Sequence, residues 1–453
     1  MADRTTIIVS DLHMGAGFRT QCDPLDDFDK DAEFAGLLRE LKVESERDGR
    51  EIELIVDGDL VDFPQVPAVE EFDPSVVYPP QGYSTTLEAD SVKKMNLVVA
   101  GHRDFFAGLR DFLSPGPPRR TLTIIKGNHD VELHWPGVQQ RIREAVGASG
   151  EQAGLVHFEE VCIHRDGLYV EHGNQYAAYC DRLDNFENPV DPQDPQRLTL
   201  TAGSQALIEA FNPVERERYW IDGVKPMTAL IFYLLKWDFD FAMRALASLL
   251  KGVPILVPKA MAADQETLLA ELDDEVRRQA LATQYAADAD FRHDFNARVL
   301  SAMETLHEPA GPGILAGPPV ASALELGRRE QERARLALGR AAQKIATEKG
   351  VKLVVFGHTH LAGDEPLEGG ARYLNSGAWV WCHDFSTADE ATWRELFEHP
   401  EHFTGDRYLT HVRVDYDAAG QPVGRLVEYT GQPQPGGCLG LLMRAWAWVQ
   451  RGL

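Results

Sequence analysis

The sequence predicts an α/β protein with clusters of polar side chains at the ends of its strands. The first observation is a set of short runs rich in β-branched residues, such as 5–9 and 52–56, which are typical of buried strands. The second is that each run leads directly into a short polar motif. The third is an alternation of these runs with helical patterns, which is typical of the α/β class.

The strand-like runs and the motifs that follow them come in one order along the chain. The runs are 5–9, 52–56, 122–125, 167–170 and 351–356. The motifs are Asp11-Leu12-His13, Gly58-Asp59 with Asp62, Gly127-Asn128-His129-Asp130, His172-Gly173, and Gly357-His358-Thr359-His360. Loops at strand ends can bring several ligands to one point while the sheet holds them still. We therefore expect these motifs to form one site.

The side chains of these motifs supply seven oxygen and nitrogen donors suited to two divalent cations, and one further histidine. A carboxylate that bridges two cations holds them about 3.5–4 Å apart, where both can bind one phosphoryl group. Mixed nitrogen and oxygen donors suit Mn, Fe or Zn better than Ca or Mg, and we favour Mn²⁺. Because no cysteine belongs to the set, a metal selected by thiolate is not expected.

Each of these residues also has an interpretation without a metal. Asp11 and Asp59 could be turn or helix-cap residues, and Asn128 could be a turn former. His358 and His360 could simply share one face of an extended segment. The conjunction of five ordered motifs at strand ends favours the metal site.

The ordered motifs resemble those of the calcineurin-like metallophosphoesterases, whose pattern is D-x-H, G-D-x-x-D, G-N-H-D, H-G and G-H-x-H. The resemblance covers roughly residues 1–190 and 350–430. It implies two mixed β-sheets in a sandwich flanked by helices, with the metals at the loop ends. It also implies the ligands, with Asp11, His13 and His360 on one cation, Asn128, His172 and His358 on the other, and Asp59 as the bridge.

The same resemblance implies roles in catalysis for two further residues. His129 would contact the phosphate and help to protonate the leaving oxygen, and Asp62 would orient its imidazole. The nucleophile would be a metal-bound hydroxide, and the reaction would be hydrolysis of a phosphoric ester or anhydride. Asn174 follows His172 and could contact the substrate, or its side chain could instead hold its own loop by hydrogen bonds.

Within this superfamily the first and fourth motifs look nearest to the UDP-2,3-diacylglucosamine pyrophosphatase-like branch, although that branch typically has Arg at the position of His129. This implies a phosphodiesterase or pyrophosphatase acting on a phosphorylated small molecule or a lipid-linked substrate. Two alternatives stay open. A protein phosphatase would need an open groove, and a non-enzymatic scaffold that retains the fold should tolerate loss of ligands.

Composition sets looser limits on partners and location. Acidic residues outnumber basic residues by 71 to 45, and the resulting net charge of −26 disfavours binding to nucleic acid. Five widely spaced cysteines without a C-x-x-C motif predict reduced thiols. Because no apolar leader follows Met1, we expect a cytoplasmic protein, with peripheral contact at the inner membrane face as an alternative. The oligomeric state stays open.

The helical patterns suggest a division of the chain. We predict a metallophosphoesterase core in 1–190 and 350–430, a helical insertion or cap in 191–349, and a linker with an amphipathic helix in 431–453. The predicted helices of the insertion are 206–211, 227–250, 266–285, 290–306 and 324–348, with a Gly/Pro-rich break at 308–319. The apolar run 227–235 is about half a bilayer span, so it predicts buried helices or an apolar surface for an acyl chain or membrane. His102 lies outside the motifs and is expected to be a surface or packing residue.

Overall fold

A computed structural model describes residues 4–256, 263–304, 319–404 and 408–431. The strands are β1 Arg4–Val9, β2 Glu51–Asp57, β3 Arg120–Ile125, β4 Val156–Glu159, β5 Cys162–Arg165, β6 Leu168–Glu171, β7 Val224–Lys225, β8 Leu353–Phe356, β9 Gly363–Pro366, β10 Arg372–Asn375, β11 His383–Asp384, β12 Thr410–Tyr416 and β13 Pro422–Glu428. The first four helices are α1 Phe18–Gln21, α2 Asp31–Asp48, α3 Pro80–Ser84 and α4 Glu88–Gly101. They are followed by α5 Arg103–Phe112, α6 Pro136–Ala145, α7 Ala202–Ala206, α8 Asn212–Glu215, α9 Met227–Trp237 and α10 Phe239–Leu256. The remaining helices are α11 Ala263–Leu272, α12 Glu275–Ala287, α13 Ala289–Glu304, α14 Pro319–Lys349, α15 Glu390–Glu398 and α16 Glu401–Thr404.

Two mixed sheets form the centre of the molecule. The first has the order β13-β12-β1-β2-β3-β4, in which β1 to β4 are parallel and β12 and β13 are antiparallel additions. The second has the order β5-β6-β8-β10-β9, in which β6, β8 and β10 are parallel. This arrangement confirms the predicted α/β class with two mixed sheets flanked by helices.

An apolar core lies between the sheets. Ile8 and Ile55 of the first sheet and Val170, Val355 and Leu374 of the second belong to one buried cluster. Strand β8 is buried along its whole length, and β1 is buried beyond its first residue. This pattern fits strands that are covered on both faces, where β-branched and aliphatic residues are favoured.

Helices cover the outer face of each sheet. On the first sheet, α2 buries a stripe that includes Phe34, Leu37 and Leu41, the three- and four-residue spacing of an amphipathic helix. Helices α4, α5 and α6 contribute to the same core. On the second sheet, the C-terminal part of α14 packs Leu338 and Ile345 against the strands.

Helices α8 to α13 and the first part of α14 form a separate apolar cluster, into which Trp381 and Trp393 from the later part of the chain also pack. Two predicted helices are each divided in the structure. The run 227–250 breaks at Asp238, whose φ of −142° is not helical, and this gives α9 and α10. The run 266–285 breaks at Asp274, whose side chain caps α12 by accepting a hydrogen bond from the Arg277 backbone N–H.

Some sequence predictions concern segments that the structure does not describe. Most of the Gly/Pro-rich break 308–319, the predicted C-terminal helix and Cys438 lie outside the described residues. Cys22, Cys162, Cys180 and Cys382 are free cysteines. In the described ranges every helix is too short or too polar to cross a bilayer.

Candidate metal centre

The five motifs meet because the strands before them end at one edge of the sandwich. Asp11, Asp59 and Asn128 follow the parallel strands β1, β2 and β3. His172 and His358 follow the parallel strands β6 and β8 of the other sheet. The two sheets are joined at this edge by the carboxylate of Asp11, which accepts a hydrogen bond from the His358 backbone N–H at 2.9 Å.

The backbone at the motifs is held in an uncommon conformation. Positive φ angles occur at five non-glycine residues of the predicted ligand set: Asp11 (53°), His13 (46°), Asp59 (51°), His358 (71°) and His360 (59°). Each such residue costs about 1–3 kcal/mol and persists only when its surroundings enforce it. Hydrogen bonds between the first two motifs contribute, since Asp11 N donates to Gly58 O at 3.2 Å and His13 N donates to Asp59 O at 2.9 Å. Such concentrated strain is characteristic of functional sites.

Asp11, His13 and His360 form the first cluster, in which the donor atoms lie close enough together to hold a cation. The Nε2 atoms of His13 and His360 lie 3.0 Å apart, and Asp11 Oδ1 lies 3.4 Å from His360 Nε2 and 3.8 Å from His13 Nε2. Metal–ligand bonds of about 2.0–2.2 Å place neighbouring ligand atoms about 3–3.5 Å apart. The cluster therefore has close to the spacing of a coordination shell.

Asp59, His172 and His358 form the second cluster. The Nδ1 atom of His172 donates a hydrogen bond to Asp57 O at 2.8 Å, which leaves Nε2 as the ligating atom. That Nε2 lies 3.0 Å from Asp59 Oδ2, yet the contact lacks hydrogen-bond geometry. Asp59 Oδ2 is also 3.8 Å from His13 Nε2, so one carboxylate reaches both clusters.

Asn128 has a second buried polar atom without a hydrogen-bond partner near the clusters. Its Oδ1 is buried and has no hydrogen-bond partner among the described residues. A buried acceptor without a partner is costly, and a bound cation would satisfy it. Together with the nitrogen and oxygen donors of the two clusters, this atom is suited to holding divalent cations, and Asp59 would be within reach of both positions.

The carboxylates and imidazoles of the clusters change one another's pKa values. Burial alone would lower the pKa of His172, but the attraction of Asp59 outweighs it and raises the pKa to about 10. Burial alone would raise the pKa of Asp59, but His172 and His129 outweigh it and hold that pKa well below the usual range. Burial lowers the pKa of His360 to about 3 because the attraction of Asp11 is too weak to offset it. A neutral imidazole is the form that binds metal.

His129 lies beside the clusters and is the more exposed of the two histidines that contact Asp62. Its side chain is 22% exposed, against 5% for His13. Its Nδ1 lies 3.0 Å from Asp62 Oδ2, and its backbone N–H donates to Asp59 Oδ1 at 2.9 Å. Burial opposes protonation of His129, but Asp62 and Asp59 together raise its pKa to about 9. These contacts hold His129 at the edge of the clusters, and its role as a proton donor stays a prediction.

The fourth residue of the third motif ties two motifs together. Asp130 is fully buried, and its two carboxylate oxygens accept hydrogen bonds from Gly127 N at 2.5 Å and from Leu60 N at 2.8 Å. Gly127 itself allows the close approach, since a Cβ at this position would lie 2.6 Å from the Asp59 backbone nitrogen. These contacts hold Asn128 and Asp59 in register.

The structure adds two residues that the sequence motifs did not indicate. Asp181 Oδ2 lies 3.4 Å from His358 Nε2, and the Ser204 hydroxyl donates a hydrogen bond to the Asn128 backbone oxygen at 3.1 Å. Asn174 is 1% exposed, and its Nδ2 donates to the Asp181 backbone oxygen at 2.8 Å. The side chain of Asn174 thus holds its own loop, and its contact with a substrate stays a prediction. Asp181 and Ser204 belong to no motif, so only proximity in space identifies them.

Comparisons with known proteins do not identify a family for this chain. The scan against protein-family models and the search of curated proteins find no match. Among solved structures, the chain is similar to a dimetal phosphatase from Danio rerio at 10% sequence identity, with 95% of this chain and 100% of that chain covered and a TM-score of 0.28. A score this low carries no argument about function. The two-sheet α/β fold and its own clusters therefore define the candidate dinuclear metal centre.

Proposed function

We propose that the protein is a dinuclear metal-dependent hydrolase of phosphoric esters or anhydrides. The observation that carries the proposal is the pair of clusters at one sheet edge, both within reach of the Asp59 carboxylate. Two cations about 3.5–4 Å apart can grip the transferred phosphoryl group from both sides. Seven residues would hold them: Asp11, His13, Asp59, Asn128, His172, His358 and His360. Their donors suit Mn²⁺, with Fe or Zn as alternatives.

The bound cations would supply Lewis-acid stabilisation and ionised water at neutral pH. Side chains beside the cations would donate the proton and orient the proton donor. His129 would donate a proton from its imidazole to the leaving oxygen, because it is the more exposed of the two histidines that contact Asp62. Asp62 would fix the orientation of His129 through the 3.0 Å contact to Nδ1, which directs the other ring nitrogen away from Asp62.

A large cavity beside the centre supports a substrate with an apolar part. The cavity has a volume of about 1090 Å³ and reaches His358 and Asp181 at the candidate centre. Its lining includes apolar side chains such as Leu230, Leu234 and Met303, together with charged side chains of α14 between Glu325 and Arg335. Ligand pockets usually span about 300–1,000 Å³, so this volume suits an extended ligand. We therefore infer phosphodiesterase or pyrophosphatase activity on a small or lipid-linked phosphorylated substrate.

The test is hydrolysis of bis-p-nitrophenyl phosphate and p-nitrophenyl phosphate with Mn²⁺, and again after chelation. We expect turnover of the diester that is lost with chelator and restored by Mn²⁺. Activity that is insensitive to chelation would defeat the proposed mechanism. A phosphopeptide as a third substrate tests the protein phosphatase alternative, and inactivity on all three with both cations bound would favour a scaffold.

A second series tests the apolar part of the substrate. Phosphodiesters with one constant headgroup and alkyl chains of increasing length should show falling KM as the chain enters the cavity, with little change in kcat. Equal KM across the series would argue for a small soluble substrate. Cytoplasmic location, peripheral membrane contact and the division of the chain into core and insertion stay predictions from the sequence.

A further inference from the structure

We propose that Lys225 binds a second phosphate group of the substrate, next to the phosphoryl group that is hydrolysed. The inference rests on the proposed function and narrows its substrate class to phosphoric esters or anhydrides that carry a second anionic phosphate. Its starting point is the position of this basic residue, which lines the large cavity together with His358 and Thr359 of the fifth motif.

The backbone holds Lys225 on the side of the cavity that borders the candidate centre. Strand β7 pairs with β11, where Lys225 lies opposite Asp384 and its carbonyl oxygen accepts a hydrogen bond from Phe385 N at 2.7 Å. Five residues before Asp384, Trp379 N donates a hydrogen bond to Asp11 O at 3.2 Å. Five residues span at most about 18 Å. The ladder of β7 and β11 is therefore tied by a short segment to the first motif.

The ammonium group of Lys225 differs from two guanidinium groups that line the same cavity. Arg329 pairs with Glu325 at 2.8 Å, and Arg328 pairs with the same carboxylate at 3.6 Å. Among the described residues, Lys225 Nζ has no carboxylate within 4.0 Å, and it donates a hydrogen bond to the Asp222 backbone oxygen at 3.3 Å. Because an ammonium group has three N–H donors, Lys225 can still donate to a ligand.

The charge of Lys225 suits it to phosphate. Burial opposes the charged form, but the attraction of nearby groups, led by Asp222, outweighs it and raises the pKa of the ammonium group above its ordinary value. A lysine binds phosphate as a compact point charge with several donors. The chain as a whole has a net charge of −26 and repels anions at long range, so an anionic substrate needs a local cation. Lys225 would supply it beside the metal ions.

The experiment compares two substrates that differ only in a second phosphate: p-nitrophenyl ethyl phosphate and an analogue whose ethyl group carries a phosphate at its end. Steady-state kinetics with saturating Mn²⁺ give KM and kcat for wild-type protein and for Lys225→Met. The matched control is Lys236→Met, which removes a lysine of α9 that pairs with Glu390 at 2.7 Å and does not line the cavity. Near-ultraviolet circular dichroism verifies folding, elemental analysis verifies metal content, and Lys225→Gln serves as a second variant.

We expect the KM of wild-type protein to be lower by on the order of 10- to 100-fold for the substrate with two phosphates. Lys225→Met should raise that KM by a similar factor with little change in kcat, and it should leave the KM of the ethyl substrate unchanged. Lys236→Met should behave like wild type.

Two results would overturn the assignment of Lys225 while the proposed function stands. The first is an equal KM of wild-type protein for the two substrates. The second is a folded Met or Gln variant at position 225 that changes neither KM, or changes both by the same factor. If wild-type protein shows no chelator-sensitive hydrolysis of either substrate, the proposed function itself fails.

Discussion

A single carboxylate oxygen, Asp62 Oδ2, lies 3.0 Å from Nδ1 of His129 and also 3.0 Å from Nδ1 of His13. One histidine is the candidate proton donor and the other is a candidate metal ligand. Asp62 is thus a positioning residue for both, whereas the sequence resemblance implied a role toward His129 alone. Asp62 is buried, with 3% of its surface exposed, so its carboxylate has little room to move away from either imidazole ring.

Asp62→Asn should therefore affect catalysis and metal binding together. An asparagine amide keeps the shape but loses the charge that orients both imidazoles. We expect affinity for the first cation to fall by about 10- to 100-fold. Turnover at saturating Mn²⁺ should fall by about 10²-fold, because His129 is no longer held as a general acid. Calorimetric titration and steady-state kinetics measure the two effects separately, and a change in only one of them would contradict the dual role.

His129→Ala should reduce turnover by about 10²- to 10⁴-fold while both cations stay bound. The matched control is His134→Ala, because His134 is also 22% exposed and also pairs with a carboxylate, at 3.2 Å from Glu160. Metal content by elemental analysis decides the interpretation. Loss of an ion from the His129 variant would make His129 a ligand, as its proximity to His13 and Asp59 would allow.

Gly58→Ala should destabilise the protein more than the same change at Gly49. Both glycines have positive φ, 78° and 65°, so both substitutions cost about 1–2 kcal/mol in backbone strain. A Cβ at Gly58 would also lie 2.8 Å from the Cβ of His172, whereas a Cβ at Gly49 meets nothing within 4 Å. Overpacking should add about 1–3 kcal/mol at Gly58. Urea unfolding measures the free energy of unfolding of both variants. An equal loss in the two variants would show that the loop at Gly58 relaxes around the added Cβ.

His102 should make stability depend on pH. Its Nε2 lies 3.0 Å from Asp26 Oδ2, and its Nδ1 lies 3.1 Å from Asp31 Oδ1. Burial opposes protonation, but Asp26 and Asp31 outweigh it and raise the pKa from 6.5 to about 10. A raised folded-state pKa stabilises the protein fully below pH 6.5, and this contribution is lost as the pH rises toward 10.

The size of the effect should be on the order of a few kcal/mol, since each pKa unit corresponds to about 1.4 kcal/mol. The measurement is the free energy of unfolding from pH 6 to 10 for wild type and His102→Gln. We expect the difference between the two proteins to shrink as the pH rises. A difference that is independent of pH would show that His102 is not charged in the folded state.

Much of the fold and of the candidate site follows from local patterns. The runs before the five motifs form β1, β2, β3, β6 and β8 within two residues of the predicted ends. Short runs of aliphatic and β-branched residues are typical of strands that are buried on both faces, so these strands could be predicted. The helix boundaries at Asp238 and Asp274 could not, because they depend on a non-helical backbone at Asp238 and on a side-chain cap at Asp274 that a helical pattern does not reveal.

His102 shows another limit of the sequence. The sequence predicts a surface or packing residue without distinguishing the two, and the structure buries His102 between Asp26 and Asp31. Nothing in its own neighbourhood along the chain indicates this, because Asp26 and Asp31 are about seventy residues away. The same holds for Asp181, which gains its interest only from His358, far along the sequence.

The sequence by itself determined the strands, the polar motifs at their ends and the donor types that those motifs carry. The tertiary structure alone decided which donors face each other, which residues adopt left-handed backbone, and that Asp62 contacts two histidines while Asp181 approaches His358. The physical reason is the distance along the chain between the residues that interact. Strand formation and motif chemistry depend on neighbours along the chain, whereas a coordination shell depends on atoms about 3 Å apart that long loops and two sheets bring together.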